Sequence, residues 1–454
     1  MTEAEPINVG EEPNVQNDSS NDDNKFLTMM ALAGETVLGW LCLKDLVSVN
    51  TTCKQLKKQT EEHFLEHYPW QSVHITQYRP RKKLELCFNA QFRNVVVHPG
   101  PEVFDRMISH HNKRVHCLEF HKGEIAEIDN GIIAGIVKNV RIIKITGTTF
   151  DGELYECLLK HCTHMEHLII IKNDGQLKEC TQRGTKNQWL LQSYPSLKQF
   201  YLVSKSIDAP ENLKIFFRLN PNVRTFHSGN GIFMHTVNIL MANEWIHFDE
   251  LHLDIAPCSS HSLRDIVSNL NQLYDNQQYK RLFLNVLFYV NILDAEWWQV
   301  KGLYGFSCLN ADSNVFEALM KVNQIRMLFL RIGEVLSHDQ AVRLAKNFHN
   351  LEEINLRITD INQITPFISH AVNVKKIYVD IEVECLMNLD LDLLDEERKK
   401  LKNANKIEMY LRDSAYFEMK WKFSKINYNL IEIKRRDDLN ALNSFAVDEM
   451  DWLK

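Results

Sequence analysis

The segments VRIIKI (140–145), MEHLII (165–170), IRMLFL (325–330), LEEINL (351–356) and VKKIYV (374–379) share one pattern. Their first, fourth and sixth positions are apolar, and the others vary. Alternation over the last three positions is that of a short strand with one buried face. With the fourth position as anchor, the series runs Val73, Val95, Leu118, Ile143, Leu168, Phe200, Phe226, Leu251, Leu282, Leu303, Leu328, Ile354, Ile377, Ile407 and Ile431. Two positions past the anchor, Ser228 and Gly305 alone interrupt the apolar rule.

Successive anchors lie 21 to 32 residues apart, and most steps are near 25. Nine and ten residues before them stand pairs such as Leu158-Leu159, Leu190-Leu191, Phe216-Phe217, Ala318-Leu319, Leu344-Ala345 and Phe367-Ile368. Each pair predicts a short helix that crosses back over the sheet, with loop residues in LQSYPSLKQF, RLNPNVRTF and KNFHNLEEI closing the connection. A unit of one strand and one helix at this period resembles the leucine-rich repeat, over about five sixths of the chain. The resemblance implies an α/β solenoid of parallel strands and short helices from Trp70 to about Ile433, within a domain 70–454 whose C-terminal end is irregular. An ordinary doubly wound domain is the alternative, but it would not hold its unit length through so many steps.

In front of the repeat, Leu38, Leu41, Leu46, Val49, Cys53 and Leu56 recur at steps suited to short amphipathic helices broken near Leu43. Residues 35–58, ETVLGWLCLKDLVSVNTTCKQLKK, resemble the F-box, which docks on the Skp-type adaptor of cullin–RING ubiquitin ligases. The matching runs are Val37-Leu38-Gly39-Trp40-Leu41, Asp45-Leu46, Val47-Ser48-Val49 and Cys53-Lys54-Gln55-Leu56, followed by Pro69-Trp70 and a strand. Where the family opens with Leu-Pro, this chain has Met29-Met30. The resemblance implies an all-α module over 25–69, with Val37, Leu38, Leu41, Leu46, Val49, Cys53 and Leu56 contacting the adaptor and, through it, a cullin. Without that resemblance, the same helices read as an end cap of the first repeat.

The residue between the two apolar strand positions points to the concave face. In order these are Glu119, Lys144, Ile169, Tyr201, His227, His252, Phe283, Tyr304, Phe329, Asn355, Tyr378 and Glu408. Exposed aromatic clusters anchor protein interfaces, so Tyr201, Phe283, Tyr304, Phe329 and Tyr378 are the candidate contacts for a target protein. Aromatic residues also simply suit strands, which leaves a packing role open.

Composition narrows the function classes. The chain has 454 residues, too many for one ordinary core, with 44% hydrophobic and 24% charged residues, as in globular proteins. A net charge of -7 gives no pull towards nucleic acid or anionic lipid. The opening residues 1–24 are acidic and nearly free of apolar surface, which predicts a disordered tail and no secretory signal. Ten scattered cysteines without a CxxC fit a reducing compartment, cytoplasmic or nuclear. The apolar run Phe26–Leu43 carries Glu35 at its middle, which argues against a membrane span. No phosphate loop, nucleophile elbow or HExxH occurs, so no catalytic residue and no cofactor are expected. Cys157, His161, Cys162, His164 and His167 are zinc ligand types, but the repeat frame spreads them over helix, turn and strand. The run LDLLDEERKKLKNANK (391–406) alternates in sign and reads as a solvated helix.

Overall fold

The structure is a computed structural model that describes residues 37–436 except 53, 69–71, 76–92, 99–114, 126–134, 136, 151–158, 172–187, 204–210, 256–262, 287–298, 309–312, 323, 331–335, 359, 381–388 and 423–427. The expected acidic tail, the first part of the helical module and Cys53 lie outside the described residues.

Among the described residues fifteen strands form one sheet, each hydrogen-bonded to the next in chain order. They are β1 Ser72–Ile75, β2 Asn94–Val97, β3 Cys117–Ile125, β4 Ile142–Phe150, β5 His167–Ile171, β6 Gln199–Val203, β7 Thr225–Gly229, β8 Phe248–Ile255, β9 Tyr279–Val286, β10 Leu303–Cys308, β11 Met327–Leu330, β12 Glu353–Arg357, β13 Lys376–Asp380, β14 Ile407–Leu411 and β15 Ile431–Arg435. Every pairing is parallel. Parallel neighbours need a crossover connection, and the short helices supply it. The chain is therefore a repeat solenoid of the α/β class.

Ten α-helices lie wholly among the described residues, and residues 37–38 and 159–160 are helical as well. α1 (Leu43–Asn50) and α2 (Lys54–His67) precede the sheet, and α3 (Glu211–Leu219), α4 (Asn230–Met241), α5 (Leu263–Asp275), α6 (Ser313–Leu319), α7 (His338–Asn347), α8 (Thr365–His370), α9 (Leu391–Lys399) and α10 (Asp413–Lys422) lie within the repeat. Local sequence fixes several starts. Ser337 and Gln340 form a capping box on α7, Pro366 stands in the first turn of α8, and Asp390 accepts from the Leu393 amide to cap α9. Phe216, Phe217, Ala318, Leu319, Leu344, Ala345, Phe367 and Ile368 all join the anchors from Val95 onward in one continuous apolar core. Leu191 departs from its pair: it closes a single 3-10 turn and is 42% exposed.

The anchors meet one another across the sheet from Val73 to Leu303. Two slips then correct the sequence frame. In β10 the register jumps between Leu303 and Gly305, and Phe306 takes the inner place opposite Leu284 and Leu328. Gly305 is thus no gap in the core; it lies on the other face, opposite Phe283 and Met327. A Cβ there would stand 2.3 Å from a ring carbon of Phe283, so glycine makes room for that ring. In β14, Met409 meets Ile377 and Tyr410 meets Tyr378, a shift of two that keeps the faces unchanged.

Just ahead of the strands runs a ladder of opposite charges. Glu166 lies between Arg141 and Lys198 at 3.5 and 2.6 Å, and Glu352 lies between Arg326 and Lys375 at 2.6 and 3.0 Å. Exposed pairs of this kind add little energy each but oppose slipped pairings.

The helical module meets the far end of the sheet. Arg435 of β15 donates to the His67 carbonyl and lies 3.8 Å over the Tyr68 ring, and Lys420 of α10 donates to the Gly39 carbonyl. A flat sheet of fifteen strands would hold β1 and β15 about 67 Å apart. Tyr68 precedes Ser72 by four residues, which cannot span more than about 14 Å. The sheet therefore curves until its two ends come together beneath the module, which bridges them.

The charged run at 391–406 is corrected as well. Its helix α9 is not solvated throughout: Leu391, Leu394, Asp395 and Arg398 are buried. Arg398 has no exposed surface, and its guanidinium donates to the carbonyls of Ile368, Ala371, Val372, Val374 and Asn405. It thereby satisfies the carbonyls left open at the end of α8. Burial draws its pKa down to about 10, which leaves it charged at neutral pH.

Candidate functional site

Two surfaces follow from the sequence: the helical module and the concave face. In the module, Leu46 at 0%, Leu38 at 2% and Leu56 at 2% exposure belong to the chain's own core. Leu41 and Val49 pack partly against it, and Val37 is 36% exposed. Leu38, Leu46 and Leu56 are thus packed within the chain itself, while Val37 keeps an open surface and Leu41 and Val49 a partial one. Helices this short are marginal alone, and the three leucines belong to the same continuous apolar core as the repeat. Asn50 and Thr60 join α1 to α2 through a buried hydrogen bond of 2.9 Å, and the Tyr68 hydroxyl donates to the Leu41 carbonyl.

Sequence reading missed the contacts that the module makes with the last repeat. Lys420 sits 4.8 Å over the Trp40 ring, and Trp40 meets Trp421 edge to face at 6.0 Å. Arg435 is held from behind by Asp413 at 2.7 and 3.2 Å. Residues some 370 to 380 positions apart carry no local pattern that could announce such a meeting.

On the concave face, Tyr201, His227, His252, Phe283 and Tyr304 form a continuous row of rings. Successive centroids are 3.7, 5.3, 4.3 and 5.5 Å apart. The expectation of open aromatic groups is corrected for Tyr201, Phe283, Phe329 and Tyr378, which are buried, and not for Tyr304. Phe283 and Phe329 are each 3% exposed, Tyr378 is 6% and Tyr201 9%, while Tyr304 is half-buried. Phe283 and Phe329 do come together, with Tyr304 and Met327, in a small apolar cluster separate from the main core. The β10 bulge breaks the expected single stripe, since Phe329 pairs with Ser307 and not with Tyr304. Tyr304 lies between two guanidinium groups, Arg281 at 5.2 Å and Arg326 at 5.8 Å, while Tyr378 stacks on Tyr410 at 4.8 Å.

Further along the strands the same face holds a buried polar cluster. Asp254 receives hydrogen bonds from Tyr201 and Asn285 at 3.2 Å each and lies 2.6 Å from His227 Nε2. Four consecutive strands, β6 to β9, each contribute one of these side chains. Burial raises the Asp254 carboxyl strongly and lowers the His227 imidazole strongly, because a dry site opposes charge on either. Asp254 lies three residues past its anchor, beyond the single concave position per strand that the sequence frame considers. Its alternation with His252 in HLDI was the available signal. Towards the first strands, Glu119 and Lys144 stand opposite each other as a buried pair at 3.1 Å.

One prediction follows from the cluster. Titrated from about pH 8 to about pH 5, the ring nitrogens of His227 should keep the 15N signals of a neutral imidazole, although a free imidazole charges near pH 6.5. A charged form appearing near that value would contradict the burial. Lowered folded pKa values of this kind withdraw stability as pH falls below the free value, so charging is coupled to loss of the local fold.

Among the described residues no group of three metal-ligating side chains converges. Of the zinc ligand types, Cys162 is buried, His164 is exposed, and Cys157 lies outside the described residues. No helix among the described residues is long and apolar enough to cross a membrane. No protein-family model matches the chain, and no curated protein matches it.

Proposed function

We propose that the chain is a recognition subunit of an SCF-type ubiquitin ligase, with residues 37–68 docking a Skp-type adaptor, and through it a cullin, while the solenoid holds a target protein. The observation that carries this reading is the helical module itself. Two short helices, packed by Leu46 and Leu56, run into the first strand of a long repeat and leave Val37 at the surface, with Leu41 and Leu43 half-buried beside it. Such a subunit needs no catalytic residue and no cofactor. It raises the local concentration of a target near enzymes bound elsewhere in the complex.

The test is capture of a purified Skp-type adaptor by the purified chain. Val37→Asp should abolish capture with an unchanged melting curve, because Val37 contributes little to the core. Equal capture by the wild type and the variant would remove Val37 from the interface, and no capture by the wild type would remove the adaptor reading.

The contacts of Lys420 and Arg435 favour a second reading, in which the module only bridges the two ends of a protein-binding scaffold that recruits no ligase. The same capture experiment separates the two.

A further inference from the structure

β1 pairs with β2 and β15 pairs with β14, and among the described residues the sheet order places no ladder between β1 and β15. The bridge between them is made by side chains. Lys420 holds Gly39 and Trp40, Arg435 holds His67 and Tyr68, and Trp421, 64% exposed, rests its edge against Trp40. Both cations have water as an alternative partner when released, and neither strand ladder is lost with them.

We infer that residues 37–68 and the last repeat form a latch, in which Lys420 and Arg435 hold the two ends of the sheet together and keep the solenoid curled. The latch stands on these contacts and holds under either reading of the module above. Charged groups around it are arranged to retain the closed form: Asp413 orients the Arg435 guanidinium. Burial and the neighbouring cations hold His63, on the facing side of α2, at a pKa of about 4, so that it adds no opposing charge at neutral pH.

Small-angle scattering of the full chain tests this. The Lys420→Ala/Arg435→Ala double variant should keep the wild-type circular dichroism spectrum and show a larger radius of gyration. A folded variant with the wild-type radius would overturn the latch. Should the double variant fail to fold, Lys420→Met keeps the aliphatic stem over Trp40 while removing the charge and the bond to Gly39. The same increase in radius then supports the proposal. A wild-type radius, or failure of this variant to fold, overturns it, because a latch must be separable from the folding of the ring.

Discussion

Arg398→Ala is expected to destabilise the C-terminal repeats by about 3–5 kcal/mol, the range for removing one member of a buried, charge-bearing hydrogen-bond network. The guanidinium reaches five carbonyls, of Ile368, Ala371, Val372, Val374 and Asn405, from a position with no exposed surface. Alanine leaves those oxygens without their donor in a space that alanine does not fill. Repeat arrays fail locally because each unit leans on its neighbours, so the loss should spread from α8 and α9 to β13 and β14 before it reaches the first strands. Amide hydrogen exchange read along the chain checks this. Faster exchange confined to about residues 365–411 is the expected result, and unchanged protection there would mean that the carbonyls are satisfied without Arg398. Arg398→Lys keeps the charge but not the fork of five donors and should recover only part of the loss.

Phe329→Ala should cost about 3–5 kcal/mol, as for a buried aromatic replaced by alanine. The ring is 3% exposed and packs in one cluster with Phe283, Tyr304 and Met327. An open concave groove would have predicted almost no change in melting for this variant, so chemical denaturation decides between the two arrangements. A loss below about 1 kcal/mol would mean that the ring is free to leave the cluster.

The periodicity of apolar positions announces the solenoid because each strand buries one face and the alternation has a period of two. The same period explains where the reading slips. In β14, Ile407, Met409 and Leu411 all point inward, and nothing in their order shows which of them faces Ile377. In β10, Gly305 looks like a defect in the apolar rule, whereas Phe306 and Cys308 beyond it already carry the shifted phase that marks a bulge. The concave aromatics are correctly placed as a set on one face, but their exposure depends on what neighbouring strands set beside them. Tyr201 is covered by His227, and Phe283 by His252, through stacking that no single strand encodes. Least legible are Lys420 and Arg435. Their contacts with Trp40 and Tyr68 arise from the accumulated curvature of fourteen strand pairings, and curvature is a property of the whole array.

That closure is measured most directly by amine cross-linking of the wild-type chain followed by mass spectrometry. Lys44, Lys54, Lys57 and Lys58 lie in the module, and Lys420 and Lys422 lie in α10 of the last repeat. Closure predicts cross-links from the module lysines to Lys420 or Lys422 within single molecules, despite a sheet that would measure about 67 Å if flat. Cross-links from the module to the first repeats alone would contradict it.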